Sequence, residues 1–249
     1  MAKQSSIIKI EGTLGGVTFY KTKDGYLAKG KSSISANRIK SDPRFVRTRE
    51  NNAEFRNATK AGKLLRDSAR PLMVKAHDYR VSSRLTQLMS QVLRVDTTSF
   101  RGCRTPVNGL NTPNGKAMLK MFNFNKASLL GSVLFKPFTV NTLTGLIEIA
   151  DLDPASDVLV PEGATHFSLY GGMMITNFSV GSSDLKLTNV VNSSITAAPA
   201  TVTLTPVALP AGTGIKLYFL KIEFFQEVNA VQYSLRNGEF NALEIVEVA

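Results

Sequence analysis

Between Arg56 and Ala76 small or apolar side chains return every three or four residues. Ala58, Ala61, Leu65, Ala69, Leu72 and Ala76 fall on one side of a helical wheel, and Arg49, Arg56, Lys60, Lys63 and Arg70 on the other. The alanines predict close approach of another element, because a methyl group keeps little distance between backbones. Upstream, Ser41-Asp42-Pro43 joins capping side chains to a proline suited to a first helical turn, so a helix is expected to begin there. Pro71 is expected to kink or split the run. Val81, Leu85, Leu88, Met89 and Val92 predict a second helix ending near Asp96. Thr112-Pro113 opens a shorter one to about Phe122 through Met118, Leu119 and Met121.

The two ends of the chain read differently. Residues 7–11, 17–21 and 26–29 are β-branched, aromatic or alternating, and Gly12, Gly15, Gly16 and Asp24-Gly25 separate them, which predicts a small β-meander before a basic polar stretch at 32–40. After Leu130, strand-like runs fall at 138–140, 146–149, 165–170, 173–180, 185–189, 201–205, 215–225 and 243–248, with Gly, Pro, Asp, Asn and Ser between them. The aromatic and β-branched run at 215–228 is the expected central strand. The predicted fold class is therefore α+β: an N-terminal meander plus helices, then a C-terminal antiparallel β-sandwich of jelly-roll or immunoglobulin-like kind. Two domains, 1–130 and 131–249, are expected to meet near residues 126–135.

Charge sharpens this division. Of a net +11 over 249 residues, residues 1–130 carry 25 basic against 8 acidic side chains, or +17, and residues 131–249 carry 5 against 11, or −6. Opposed charges bear on partners and assembly, not on topology. The first residues lack the apolar core of a secretory signal, and no run approaches the roughly 18 apolar residues of a membrane span. A cytoplasmic origin without a membrane partner is the expectation. A single cysteine, Cys103, allows no disulfide within the chain.

Catalytic chemistry finds little support. Gly25-Tyr26-Leu27-Ala28-Lys29-Gly30-Lys31-Ser32 fits G-x-x-x-x-G-K-[ST], yet a phosphate loop needs a buried strand before it and a helix beginning at Lys31-Ser32. Here Asp24-Gly25 reads as a hairpin turn and residues 26–28 as its outgoing strand. His77 and His166, the two histidines, read as structural or surface groups, and no metal or cofactor site is expected. Cys103 lies between Arg101 and Arg104, which favours a thiolate, but no base or oxyanion site accompanies it. The pairs Asp151/Asp153 and Glu244/Glu247 read as solvent-facing or loop charges.

Two stretches carry a family resemblance. Gly12-Thr13-Leu14-Gly15-Gly16-Val17-Thr18-Phe19-Tyr20 with Asp24-Gly25-Tyr26, then residues 47–55 and 60–66, resemble the front half of an uncharacterised protein family of Bacteroidota and their phages or mobile elements. Phe224-Phe225-Gln226-Glu227-Val228-Asn229 and residues 236–243 are similar to that family's closing segment. The resemblance implies a structural role in a virion or mobile element and supplies no catalytic residues. The leading expectation is thus a non-enzymatic, self-assembling subunit of a phage-like particle, tube or appendage, with copies of itself or other structural subunits as partners. The alternative is nucleic-acid binding by Arg49, Arg56, Lys60, Lys63 and Arg70 on backbone phosphates. An NTPase using Gly25, Gly30, Lys31 and Ser32 is a remote third.

Overall fold

The computed structural model describes residues 2–30 and 34–249, and its chain divides into two compact units, Met1–Glu50 and Asn51–Ala249. The first unit holds four short antiparallel strands, β1 (Ala2–Lys3), β2 (Gly12–Leu14), β3 (Val17–Thr22) and β4 (Gly25–Gly30), in the order β1-β4-β3-β2. Its tight turn pairs Thr22 with Gly25, where Gly25 takes a φ of 115° that an L side chain rarely adopts. Residues 7–11, expected as a strand, are not one. The Gln4 side chain occupies both backbone groups of Ile10, accepting from its N–H at 2.9 Å and donating to its carbonyl at 3.1 Å, so the intervening residues bulge as a loop.

Helix α1 (Ala36–Ser41), capped by Ser35, follows within the basic polar stretch, where no helix was expected. Asp42 caps a 3-10 turn, Pro43–Phe45, and α2 (Val46–Ser68) begins at its end. The Ser-Asp-Pro signal therefore starts a helix by way of this turn. None of the described residues of the first unit is buried.

In the second unit, α2 continues to Ser68 and Pro71 sits in the first turn of a separate short helix, α3 (Arg70–Met73). Then come α4 (Val81–Arg94), α5 (Pro106–Leu110), α6 (Pro113–Leu119) and α7 (Leu130–Val133). The β portion comprises β5 (Thr139–Val140), β6 (Ile147–Leu152), the short helix α8 (Pro154–Asp157), β7 (His166–Asn177), β8 (Ser182–Leu187), β9 (Val191–Ser194), β10 (Ala200–Leu204), β11 (Ile215–Val228), β12 (Val231–Ser234) and β13 (Ala242–Val248). The fold is α+β with a C-terminal antiparallel sandwich. A six-stranded sheet runs β12-β11-β7-β8, with β13 on β11 and β9 on β7, and faces a three-stranded sheet, β10-β6-β5.

Alternation along β11 fixes what each face meets. Tyr218, Leu220, Ile222 and Phe224 pack with Ile147, Ile149, Val202 and Leu204 of the smaller sheet. Leu217 and Phe219 pack instead with Ala58, Leu65, Leu72, Leu85, Met89 and Leu119 of the helices. Helices and large sheet thus share one core, and the expected boundary near 126–135 does not separate compact units. Strands 165–170 and 173–180 are also one strand, β7, uninterrupted by Gly171-Gly172. A Cβ at Gly171 would lie 2.0 Å from the Phe219 carbonyl oxygen, so the glycine is required by the neighbouring strand rather than by a turn. β9 and β12 were not expected. Both are short and half polar, and they border the sheet.

The helices meet equally closely. A Cβ at Gly109 in α5 would lie 2.1 Å from the Val92 carbonyl oxygen of α4, and one at Gly115 in α6 would lie 2.0 Å from the Gly109 carbonyl oxygen. Backbone cannot retreat as a flexible side chain can. Gly109→Ala should therefore cost about 1–3 kcal/mol and lower Tm by roughly 2–4 °C per kcal/mol. Gly131→Ala, where nothing lies within 4 Å, should leave the melting curve unchanged.

Candidate functional site

Helix α2 places its small residues inward and its cations outward, as the 3.6-residue period requires. Ala58, Ala61, Gly62 and Leu65 are buried, whereas Arg56, Lys60 and Lys63 are exposed and join Asn52, Phe55 and Thr59 along a shallow groove of about 500 Å³. Arg70 is exposed too, but it belongs to α3 and does not line the groove. Arg56, Lys60, Lys63 and Arg70 form no ion pair among the described residues, so an external anion meets no internal competitor. Arg49 differs from the other four. Its guanidinium donates to the carbonyls of Ile39 at 2.9 Å and Asp42 at 3.0 Å, and it is a joint within the first unit.

Two aromatic rings accompany these cations. Phe55 is 61% exposed in the groove, and Phe100, 88% exposed, precedes Arg101 in the loop after α4. Three bonds tie that loop to α2: Arg101 donates to the Asn51 side chain at 3.0 Å, the Gly102 N–H to Glu54 at 2.8 Å, and the Asn57 amide to the Arg104 carbonyl at 3.0 Å. Beyond it lies a deeper cleft of about 640 Å³ between Lys60 and Leu64 of α2, Thr105 and Asn108, and Phe178 and Val180 of the β7–β8 hairpin. Flat, exposed rings among cations can stack on planar groups while the cations hold phosphates. The juxtapositions Phe55-Arg56 and Phe100-Arg101 were present in the sequence as a signal for this.

Asp96 sets the loop's shape. It is buried, and its carboxylate accepts from the N–H groups of Thr98, Ser99 and Thr105, the Thr98 hydroxyl and the Asn108 amide, all within 2.8–3.2 Å. Burial opposes ionisation, but bonds from Ser99, Thr98 and Thr105 outweigh it and hold the carboxyl well below the usual range. Cys103 is exposed at the turn this knot creates, its N–H donating to the Phe100 carbonyl at 2.9 Å.

Another buried ionic cluster lies on the helix-facing side of the large sheet. Lys221 is 1% exposed; its ammonium donates to the Val74 carbonyl at 2.8 Å and the Tyr170 hydroxyl at 2.7 Å, and pairs with Glu223 at 2.6 Å. Burial lowers the Lys221 ammonium and raises the Tyr170 phenol; the Glu223 carboxylate opposes the first shift and adds to the second. With three acceptors around three protons, this lysine fastens the chain after α3 to β11.

The remaining candidates are dispersed. Residues 25–30 of the phosphate-loop pattern form β4, with Gly25 and Gly30 paired to Thr22 and Val17, while Lys31 and Ser32 lie outside the described residues. A ring nitrogen of His77 lies 2.8 Å from the Met73 carbonyl oxygen, and His166 lies 3.6 Å from Glu227. Asp153 caps α8. Glu244, expected to face solvent, is buried instead: burial raises its carboxyl, and Asn123 donates to it at 2.7 Å. Among the described residues, no three His, Cys, Asp or Glu side chains gather as a metal site would need. Compared with protein-family models, curated proteins and solved structures, the chain matches none of them.

Replacing Asp96 by Asn puts an amide donor where donors already converge. Asp96→Asn should cost about 2 kcal/mol at neutral pH, seen as a fall in Tm of roughly 4–8 °C. Because the folded carboxyl is lowered, its contribution is complete above the unfolded value of about 3.9 and fades as pH falls further. The gap between wild type and variant should therefore narrow in melts below that pH.

Proposed function

We propose that the chain is a non-enzymatic structural subunit that assembles with further copies of itself into a particle, tube or appendage. The observation that carries this reading is the first unit, whose four strands have no buried residue while Ile7, Ile8, Ile10, Leu14 and Val17 stand exposed. Sheets this small need a covered apolar face or a packed helix to be stable in water. Charge divides the chain unevenly: residues 1–50 carry 11 basic against 4 acidic side chains, or +7, and within a second unit of net +4 residues 131–249 carry −6. An acidic β portion on one copy can attract the basic first unit of another. The resemblance to a family of Bacteroidota and their phages makes a virion component the natural setting. Light scattering and negative-stain microscopy of the purified full chain should give a size that grows with protein concentration; a monomer at every concentration and salt would sink the reading.

The groove on α2 favours one second reading, single-stranded nucleic-acid binding with Phe55 stacking on bases and Arg56, Lys60 and Lys63 on phosphates. With three phosphate contacts, log affinity for a random single strand should fall against log salt with a slope of about −2. Lys60→Glu/Lys63→Glu should flatten that slope. No binding at low salt removes this reading.

A further inference from the structure

The cleft of about 640 Å³ beside the α2 groove is preformed, because hydrogen bonds fix two of its walls. At the start of α5 the Thr105 hydroxyl oxygen accepts from the Asn108 N–H at 3.4 Å, above the Asp96 knot. At the β7–β8 turn the Asn177 side-chain oxygen accepts from the N–H groups of Ser179 and Val180 at 3.0 and 3.2 Å, and the Asn177 carbonyl accepts from Gly181 at 2.8 Å. A site shaped in advance loses little conformational freedom when it is filled. Its volume lies within the range of about 300–1,000 Å³ typical of small-molecule sites.

Two asparagines line the cleft, and the nitrogens of both are committed elsewhere. The Asn57 amide donates to the Arg104 carbonyl at 3.0 Å; the Asn108 amide donates to Asp96 at 3.2 Å and to the Ser99 hydroxyl at 3.0 Å. Each side-chain carbonyl oxygen is left as the polar atom open to a ligand, and neither accepts a hydrogen bond among the described residues. Carbonyl oxygens only accept, so the ligand must bring two donors. It cannot bring them as a cation. Lys60 is the one charged residue of the lining, and the charged sequence neighbours of the lining residues, Arg56, Lys63 and Arg104, are all basic. The same charges attract an anion. Leu64, Pro106, Val107, Phe178 and Val180 add apolar walls that suit a flat ring. A neutral, planar group with two adjacent donors and an anion beside it describes guanine with its phosphate: N1–H and the N2 amino group lie side by side on its Watson–Crick edge, whereas adenine, cytosine and thymine each present one donor group there.

We propose that the cleft takes a guanine base of a single strand whose backbone follows the cations of α2. Asn57 and Asn108 accept from its N1 and N2 groups, and Lys60, which lines groove and cleft alike, holds the adjoining phosphate. This rests on the nucleic-acid reading of the α2 groove and names the base that reading selects.

The test uses the full chain and three oligonucleotides of about twelve nucleotides, a length that one small binding surface covers. One is all thymine, one has a single central guanine, and one has hypoxanthine in that place, which keeps N1–H and lacks the N2 amino group. Fluorescence anisotropy at low salt should show the guanine strand binding about tenfold more tightly than the all-thymine strand, as a well-placed bidentate contact discriminates, with the hypoxanthine strand between them. Asn57→Leu removes one acceptor and no α2 cation, so it should cut the guanine preference to about threefold or less and leave the affinity and salt slope of the all-thymine strand unchanged. Circular dichroism verifies its folding, and the wild-type comparison decides alone if the variant misfolds. Equal binding of the three strands by the wild type, or an undiminished guanine preference in folded Asn57→Leu, overturns the inference and leaves the nucleic-acid reading standing. No binding of any strand at low salt overturns both.

Discussion

Everything in the larger unit depends on the pairing of β7 with β11, whose register runs from Ile215↔Thr176 to Phe225↔His166. Strands buried on both faces cannot alternate apolar with polar, because each parity meets a core. β11 obeys this with Leu217 and Phe219 on one face and Tyr218, Leu220 and Ile222 on the other, all of them fully buried. A sheet made this way must be covered twice. The three-stranded sheet supplies one cover and α2 to α6 the other, so the helices complete the sandwich rather than forming a separate domain. Lys221 is the exception that the same constraint disciplines: a charged group on a buried parity persists only with its protons satisfied, and Val74, Tyr170 and Glu223 provide the three acceptors.

That dependence changes the meaning of the charge step at Leu130. The transition from basic to acidic sequence coincides with the passage from helix layer to sheets inside one compact unit. Helices covering a sheet on one face have a single outward stripe each, and α2 spends its stripe on Arg56, Lys60 and Lys63, which have no acidic partner among the described residues. The chain thus carries a net basic helix layer, offset only in part by pairs such as Arg66–Asp67 and Lys120–Glu247, and a more acidic β portion. Such an arrangement raises solubility and directs how molecules approach each other, leaving the topology to the core.

Periodicity made α2, α4, α6 and most strands legible, because a buried stripe at 3.6 residues and the crowded apolar run of β11 each follow directly from what they touch, whereas the short helices α1, α5, α7 and α8 span too few residues to show a period. The boundary near 126–135 was misplaced for a physical reason. A change of texture marks a change of secondary structure, whereas a domain boundary requires that few apolar contacts cross it, and Leu119 and Phe124 pack with Phe219 and Leu243 across this one. The glycine pair in β7 misled in the opposite direction, since a residue that usually breaks strands there lets two backbones approach. Of the candidate site, the cations of α2 were readable from the wheel. Arg49 was not separable from them, because its role is set by carbonyls ten and seven residues earlier, which no helical wheel displays. Asp96 stayed hidden for the same reason: its donors lie in a loop whose only order is the one the carboxylate imposes.

The first unit obeys a different economy. Its sheet has hydrogen-bonded strands but no buried side chain among the described residues, so its folding free energy must be small compared with that of a unit buried on both faces. A marginal module joined to a robust one suits a part whose final environment is another molecule. Ordering of its apolar face then contributes to the contact itself, and the gain in stability appears only when a neighbour is present, by the mass-action rule that anything binding the folded form stabilises it. In the proposed assembly, association and completion of the first unit's fold would be one equilibrium.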